Sequence, residues 1–356
     1  MGSRIRVGIL GFAHYHANFW SEVFRDSPLA EFVGIWDHDA SRGTAAAAKY
    51  GVRFRPDLGE LLQGCGAVGV TSETVRHAPL IEQAAARGCH VLCEKPLAAT
   101  LEDCDRIAWA VTRSGIIFMQ SFPKRFDPVN HELRRMVRDG ELGRIWLVRV
   151  RHGHYHGLDP AFVAQWYMDP ALSGGGALLD EGVHAADLLR WLLGEPESVT
   201  ATVSSAALGL AVEDAAVAVF RFPGGALGEL ATGSGFTAAD NSVEVYGTDG
   251  SAILSGVDLA SRDITPEGFL KVYRTGQPER RWTVSPIVPR FKTGGFHQQN
   301  ALHFLDALAQ GTPPPVTLQD GRRAVEMILA AYAAARTGQA QAIAAPSPDY
   351  SRRTRE

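Results

Sequence analysis

Gly8-Ile9-Leu10-Gly11-Phe12-Ala13-His14-Tyr15-His16 is the stretch on which the reading of this chain turns. It joins a strand-like apolar run, Ile5 to Leu10, to a segment of helical spacing, Ala17 to Phe24. A dinucleotide fold places its pyrophosphate-binding turn at such a junction, because backbone N–H groups and a helix N-terminus face the phosphates there. As a fingerprint the turn is imperfect. Gly11 fits the first glycine position, but Ala13 and His16 stand at the second and third. The Ala13 methyl crowds a phosphate slightly, and His16 loosens the strand–helix contact that glycine permits. The imidazoles of His14 and His16 could donate to pyrophosphate oxygens in compensation. Taken alone, the turn is equally readable as a plain strand–turn–helix.

Outward from this turn, short apolar runs alternate with helical patterns. Phe32 to Trp36, Ala67 to Val70, His90 to Cys93 and Ile116 to Met119 read as strands. Ser41 to Tyr50, with Ser41 as N-cap, Pro79 to Arg87 and Leu101 to Arg113 read as helices. The alternation predicts a doubly wound parallel sheet, covered on both faces because its strands are apolar throughout. After about Gln120 the pattern changes. A helix from Val129 to Asp139 leads to a strand from Ile145 to Arg151, and a helix from Val183 to Leu193 follows. Strands are then predicted at Ser198 to Ser204, Ala215 to Phe222, Ala226 to Thr232 and Ser242 to Tyr246, joined by glycine-rich turns. Such turns predict an antiparallel sheet. Two late helices, Gln298 to Gln310 and Asp320 to Arg336, complete an α+β domain. The expected division is a Rossmann domain over 1–122 and a substrate-binding and oligomerisation domain over 123–356, with the last helix free to pack back on the first domain.

The composition narrows the function. The chain has 356 residues and a formal net charge of -4, which gives no long-range attraction to nucleic acid or anionic membrane. No signal segment and no apolar run long enough to span a bilayer is apparent, so a cytoplasmic protein is expected. Cys65, Cys89, Cys93 and Cys104 are too few for a disulfide framework, and Cys89 and Cys93 read as buried thiols.

Asp37 ends the second strand run, where a dinucleotide fold carries its ribose-binding carboxylate. It can accept hydrogen bonds from the ribose diol and repel a 2′-phosphate, so NAD is expected rather than NADP. Nearby Arg42 keeps NADP open, and a capping acid is the rival reading of Asp37. Glu94-Lys95-Pro96 follows the strand His90 to Cys93, at the edge of the sheet that faces a cofactor. Of 35 Lys and Arg residues only five are lysine. Lysine at 95 therefore points to an amine that can shed a proton, which arginine cannot do. The rival is a structural pair with Glu94. Further on, Asp180 and His184 share a face if one helix runs through them. Histidine titrates near neutrality and suits a general base, with Asp180 orienting it or holding substrate. A satisfied histidine on an amphipathic helix is the alternative. His152, His154 and His156 fall on one face of a strand and read as polar lining of a substrate cleft. Zinc would need further ligands from elsewhere, so no metal is expected. A solvated loop is the remaining reading.

Together these residues resemble the Gfo/Idh/MocA oxidoreductases. The resemblance takes in the Gly11 turn, Asp37, the segment Thr71-Ser72 to His77, His90 to Pro96, Arg125 to Pro128 and Gly140 to Gly143. It continues through Trp166 to Gly176, Asp180 to His184, Asp187 to Gly194 and Asp320 to Ala324. It implies a Rossmann domain packed on an open-faced sheet, in a homodimer or homotetramer. Lys95, Asp180 and His184 would be catalytic. Cofactor contacts would come from Gly11, Phe12, Ala13, His14, Asp37, Thr71, Ser72, His77, Glu94, Lys95 and Trp166. Lys124, Arg125 and Asp180 would lie at the substrate, with the His152, His154 and His156 run. The implied reaction moves hydride between NAD and a ring hydroxyl or carbonyl of a sugar, cyclitol or related polyol. A glycosidase using NAD for transient oxidation and elimination is the alternative, and a non-catalytic NAD-binding regulator a second. Ala13 and His16 depart from the family pattern at glycine-type positions, and Ser72-Glu73-Thr74 departs from a commoner Pro-Asn pattern at the nicotinamide contacts.

Overall fold

Apolar strands of three to seven residues, alternating with helices, build the first lobe of the computed structural model, which describes residues 4–237, 241–256, 270–277, 281–287 and 294–346. The order is β1 (Ile5–Leu10), α1 (Ala17–Asp26), β2 (Ala30–Trp36), α2 (Ala40–Tyr50), α3 (Leu58–Gln63), β3 (Ala67–Val70), α4 (His77–Ala86), β4 (His90–Cys93), α5 (Leu101–Ser114) and β5 (Phe118–Gln120). All neighbours in the sheet β2-β1-β3-β4-β5 are parallel. Because β2 and β3 flank β1 on opposite sides, the order reverses there and opens a crevice at the carboxyl ends of the strands. Gly11, Asp37, Thr71 and Glu94 each follow immediately after a strand at that edge.

Local chemistry fixes the helix starts. Asp39, not Ser41, caps α2, because its carboxylate accepts from Ser41 N and Arg42 N. Thr100 caps α5 by accepting from Asp103 N.

The second lobe begins with α6 (Pro128–Arg138), capped by Asp127, and β6 (Ile145–His152). Short helices α7 (Pro160–Val163) and α8 (Pro170–Ser173) lead to α9 (Ala177–Asp180) and α10 (Gly182–Leu193). Strands β7 (Ser198–Ser204), β8 (Ala215–Arg221), β9 (Leu227–Gly233), β10 (Asn241–Gly247), β11 (Gly250–Gly256), β12 (Leu270–Arg274) and β13 (Thr283–Val284) follow. Helices α11 (Gly295–Gln310) and α12 (Leu318–Thr337) and the short β14 (Gln341–Ala342) complete the described chain.

This sheet is mixed rather than antiparallel. Its order is β13-β12-β11-β10-β6-β9-β8-β7-β14, and β6 pairs with β9 in parallel. The reason is topological. Strands β7, β8 and β9 follow one another as an antiparallel meander, whereas β6 enters from the first lobe and slots between β9 and β10. One face is packed and one is open. Ala216, Ala218 and Phe220 of β8 are buried, while Val217 and Val219 between them are exposed. The packed face lies against α10 and α12, where Leu188, Leu189, Met327 and Ile328 share its core. Each such large apolar side chain stabilises the fold by ~1.5–3 kcal/mol when fully buried. On the open face Arg149 bridges to Glu229 on one neighbouring strand and Glu244 on the other.

Helix α12 also touches the first lobe. Arg322 Nε donates to Asp105 of α5 at 2.8 Å, and Val325 packs in a cluster with Leu10, Ile107 and Phe118.

Candidate active site

The Gly11 turn needs glycine for two reasons. Its φ is +87°, and a Cβ there would come within 2.8 Å of Ser72. Thr71 donates its hydroxyl to Gly11 O, and His14 N donates to Thr71 O, so the loop after β3 supports the turn from beneath. Asp37 stands beside it, and its carboxylate accepts from Phe12 N at 2.7 Å. The same carboxylate takes a two-pronged contact from Arg42, both arms at 2.8 Å. Arg42 reaches on to Glu73 at 3.1 Å. The guanidinium that could have welcomed a 2′-phosphate is thus shared between two acids.

From the second lobe, Trp166 Nε1 donates to Ala13 O at 3.0 Å. Its ring stacks on Tyr167, Tyr167 on Phe162 and Phe162 on His156, an aromatic run along one wall of a cleft. His14, His16, Lys95, His152, His154, Asp180, Glu181, His184 and His297 line that cleft with Tyr15, Pro123, His156, Phe162 and Tyr167.

Lys95 is the meeting point of the two lobes. Its Nζ is 2.6 Å from Asp180 Oδ1, 2.8 Å from Asp180 O and 3.7 Å from Glu181 Oε1. Burial by itself would favour loss of the proton. The charges of Asp180, Glu181 and Glu94 outweigh it and hold the ammonium above the ordinary lysine value. Lys95 therefore keeps its proton, contrary to the expectation of an amine that sheds one. The structural pair with Glu94 is not what forms either, since the Glu94 carboxylate accepts from Lys95 N and sits 3.2 Å from His16 Nδ1.

The predicted pairing of Asp180 with His184 on one helical face also needs correction. The helix breaks at Glu181, between α9 and α10, so Asp180 turns to Lys95 while His184 lies against His152 and Phe122. Burial, then the charge of Lys95 and His152, pushes the His184 imidazole well below its usual value and leaves it neutral. The preceding glycines make the approach. A Cβ on Gly176 would strike Glu213 O, and Glu213 accepts from Gly176 N and Leu178 N, both at 2.9 Å.

Other expected residues divide. His152 and His154 point their Nε2 atoms at Glu181 Oε2, 2.9 and 3.2 Å away, and His156 stacks on His154. Although burial would raise it, the Glu181 carboxyl is held well below the usual range by His154, Lys95 and His152. Lys124 is buried just outside the lining residues and donates to Asn241 at 3.0 Å. Two residues are not brought to the cleft at all. His77 has both ring nitrogens against backbone carbonyls, those of Pro96 and Leu97 on one side and Ser72 on the other, and braces the loops after β3 and β4. Arg125 grips Asp187 at 2.6 and 2.9 Å and Asp320 at 3.1 Å, a tie between α10 and α12 rather than a substrate contact.

Glu181 and His297 are not legible in the sequence. Glu181 is adjacent to Asp180, but helical spacing selects 180 and 184 and passes over it. His297, whose ring centroid is 3.7 Å from that of His16, arrives on α11 from far along the chain.

Comparison with known proteins matches residues 5–122 to an oxidoreductase family with an NAD-binding Rossmann fold, and residues 130–253 to the GFO/IDH/MocA C-terminal domain. The 1,5-anhydro-D-fructose reductase of Ensifer adhaerens is 30% identical over 318 residues, which cover 88% of this chain and 91% of that protein. Myo-inositol 2-dehydrogenase of Thermotoga maritima is 28% identical over 339 residues, covering 93% and 95%. The crystal structure of GenD2 from gentamicin A biosynthesis, in complex with NAD, aligns with a TM-score of 0.81 at 26% identity, over 97% of this chain and 98% of that one.

Proposed function

This chain belongs to the GFO/IDH/MocA oxidoreductase family, and on that premise we propose that it catalyses reversible oxidation of a ring hydroxyl of a sugar, cyclitol or related polyol with NAD as hydride carrier. The relatives named for anhydrofructose and myo-inositol support the substrate class.

The residues at the carboxyl edge of the first sheet fit a dinucleotide. Gly11 has no Cβ, which would strike Ser72, so the turn can close there as bare backbone. The first turn of α1 carries no acidic residue and no side-chain cap, so its positive end is available to a pyrophosphate. Asp37 and Glu73 together oppose a 2′-phosphate, which favours NAD over NADP. When bound, NAD supplies the nicotinamide that accepts or returns the hydride.

The chain's own groups handle the proton and the charge. His184, neutral, accepts the proton of the reacting hydroxyl. Lys95, cationic and fixed by Asp180, stabilises negative charge as it develops on that oxygen. Tyr167, on which Trp166 stacks, forms one side of the cleft, and the wall of His152, His154 and His156 offers hydrogen bonds to the remaining hydroxyls.

The observation that carries this reading is the 2.6 Å contact of Lys95 Nζ with Asp180 Oδ1, made across the two lobes in a cleft that His184 also lines. The test is a panel of free sugars, cyclitols and glycosides with NAD or NADP, followed by NADH absorbance. Accumulation of NADH with at least one cyclic polyol is expected. Glycoside cleavage without net NADH would replace the reading with elimination chemistry. Tight NAD binding with no turnover of any compound would replace it with a regulator.

A further inference from the structure

We infer that the cleft holds a divalent transition-metal ion between His152, Glu181 and His184, with His154 beside it. Such a site goes beyond the reaction above and does not rest on it.

Donor atoms of these three buried residues lie within 4.8 Å of one another. Glu181 Oε2 is buried and lacks a hydrogen bond of acceptable angle despite the imidazoles close by, and the Nδ1 of His184 is likewise buried and unbonded. Leaving such groups unsatisfied destabilises the fold, more so for a charged one. A cation held by the three residues satisfies the Glu181 oxygen. The spacing also suits one. Ligands ~2.1 Å from a tetrahedral ion stand ~3.4 Å apart. Glu181 Oε2 is 2.9 Å from His152 Nε2 and 3.2 Å from His154 Nε2.

The two oxygens of Glu181 divide their duties. Oε1 faces Lys95 Nζ at 3.7 Å, which orients the carboxylate without using the oxygen turned to the imidazoles. An outer partner of this kind is what a metal-ligating carboxylate requires. The positive charge of Lys95 opposes a second cation nearby, but Asp180 and Glu94 offset it. The donors come from the end of β6, the break between α9 and α10, and α10 itself, so their positions are fixed by packed elements. Imidazole and carboxylate together suit zinc, iron, cobalt or nickel in the divalent state. Magnesium and calcium prefer all-oxygen sites. A neutral imidazole has one ring lone pair, so an ion on His184 competes with a hydroxyl proton for it. The expectation of no metal follows from His152, His154 and His156 having no further ligand in view, and the fold supplies Glu181 and His184.

A second group, His14, His16 and Glu94, lies on the cofactor turn and provides the internal contrast. Full-length protein purified without a metal-affinity tag is stripped with a chelator, dialysed and titrated with cobalt(II) alone. Stoichiometric uptake with visible ligand-field bands is expected. His152→Ala and Glu181→Gln should each weaken cobalt binding at least ~10-fold. His303→Ala, at an exposed histidine on α11, should leave it unchanged. Absence of bands in the wild-type protein overturns the inference, whatever the folding of the variants. So do bands that survive in His152→Ala and Glu181→Gln but disappear in His16→Ala. Cobalt uptake is read without substrate or NAD, so failure of the sugar panel leaves the metal site standing, whereas a filled site takes His184 away from the role of proton acceptor.

Discussion

Lys95 and Arg125 are both buried cations that tie separate elements of the molecule through carboxylates, and they differ in what is left over. Around Arg125 the donors and acceptors are matched. Asp187 takes two guanidinium contacts, and Asp320 takes one from Arg125, one from Arg190 and two more from Thr317 at the start of α12. Around Lys95 they are not. Asp180 is engaged with the ammonium, but Glu181 Oε2 and His184 Nδ1 remain without a well-formed hydrogen bond. A matched cluster holds a fold together and resists ligands. An unmatched one carries a standing cost that only an arriving proton, substrate or ion can relieve. The choice of cation follows the same division, since the planar guanidinium saturates two acids at fixed angles and the compact ammonium can exchange partners.

Three changes would break or sharpen this contrast. The largest effect is expected at the open cluster. His184→Ala should lower turnover by ~100- to 10,000-fold while NAD affinity, measured by fluorescence titration, stays the same. Turnover near the wild-type rate would remove His184 from the reaction. At the matched cluster the effect should fall on stability. Arg125→Met leaves Asp187 buried without its partner and should cost ~3–5 kcal/mol in urea unfolding, with KM of the folded enzyme unaltered. A stable variant with a raised KM would return Arg125 to the substrate.

The smallest of the three concerns pH. Burial would raise the Asp320 carboxyl, but Arg125, the Thr317 backbone and Arg190 overcome this and bring it to about 2, below the 3.8 of a free aspartate. A depressed acid stabilises the fold above its unfolded value and loses that contribution as pH falls towards its folded one. Asp320→Asn should therefore be ~2 kcal/mol less stable than wild type at neutral pH, from a shift of nearly two units. The gap should close between about pH 4 and pH 2. A gap that persists at pH 2 would show that the charge of Asp320 is not its source.

Much of the first lobe is legible because its strands announce themselves. Ala67 to Val70, and Val91 to Cys93 after His90, are unbroken buried runs set between helical patterns, too short to be helices themselves. The Gly11 turn, Asp37 and Lys95 can be read for a related reason, each lying at or just past the end of a strand. The second lobe is harder. Turn glycines betray hairpins, so β7 to β9 can be read, but nothing in the sequence of β6 says that it will lie between β9 and β10. Arg125 is misplaced by the sequence because its partners, Asp187 and Asp320, are remote from it, and adjacency to Lys124 says nothing about which way either cation faces. Glu181 escapes because a helical periodicity argument assumes the helix continues, and the helix is interrupted at that residue.

Helix α12 gives the boundary near residue 122 a different meaning in space from the one it has along the chain. The strands divide there, but Val325 fills the same apolar cluster as Leu10 and Phe118, and Arg322 reaches Asp105. The far end of the polypeptide thus acts as a splint laid across both sheets. A polypeptide released at Phe122 would therefore lack the Val325 side chain that covers part of this apolar cluster until residues made some two hundred positions later arrived.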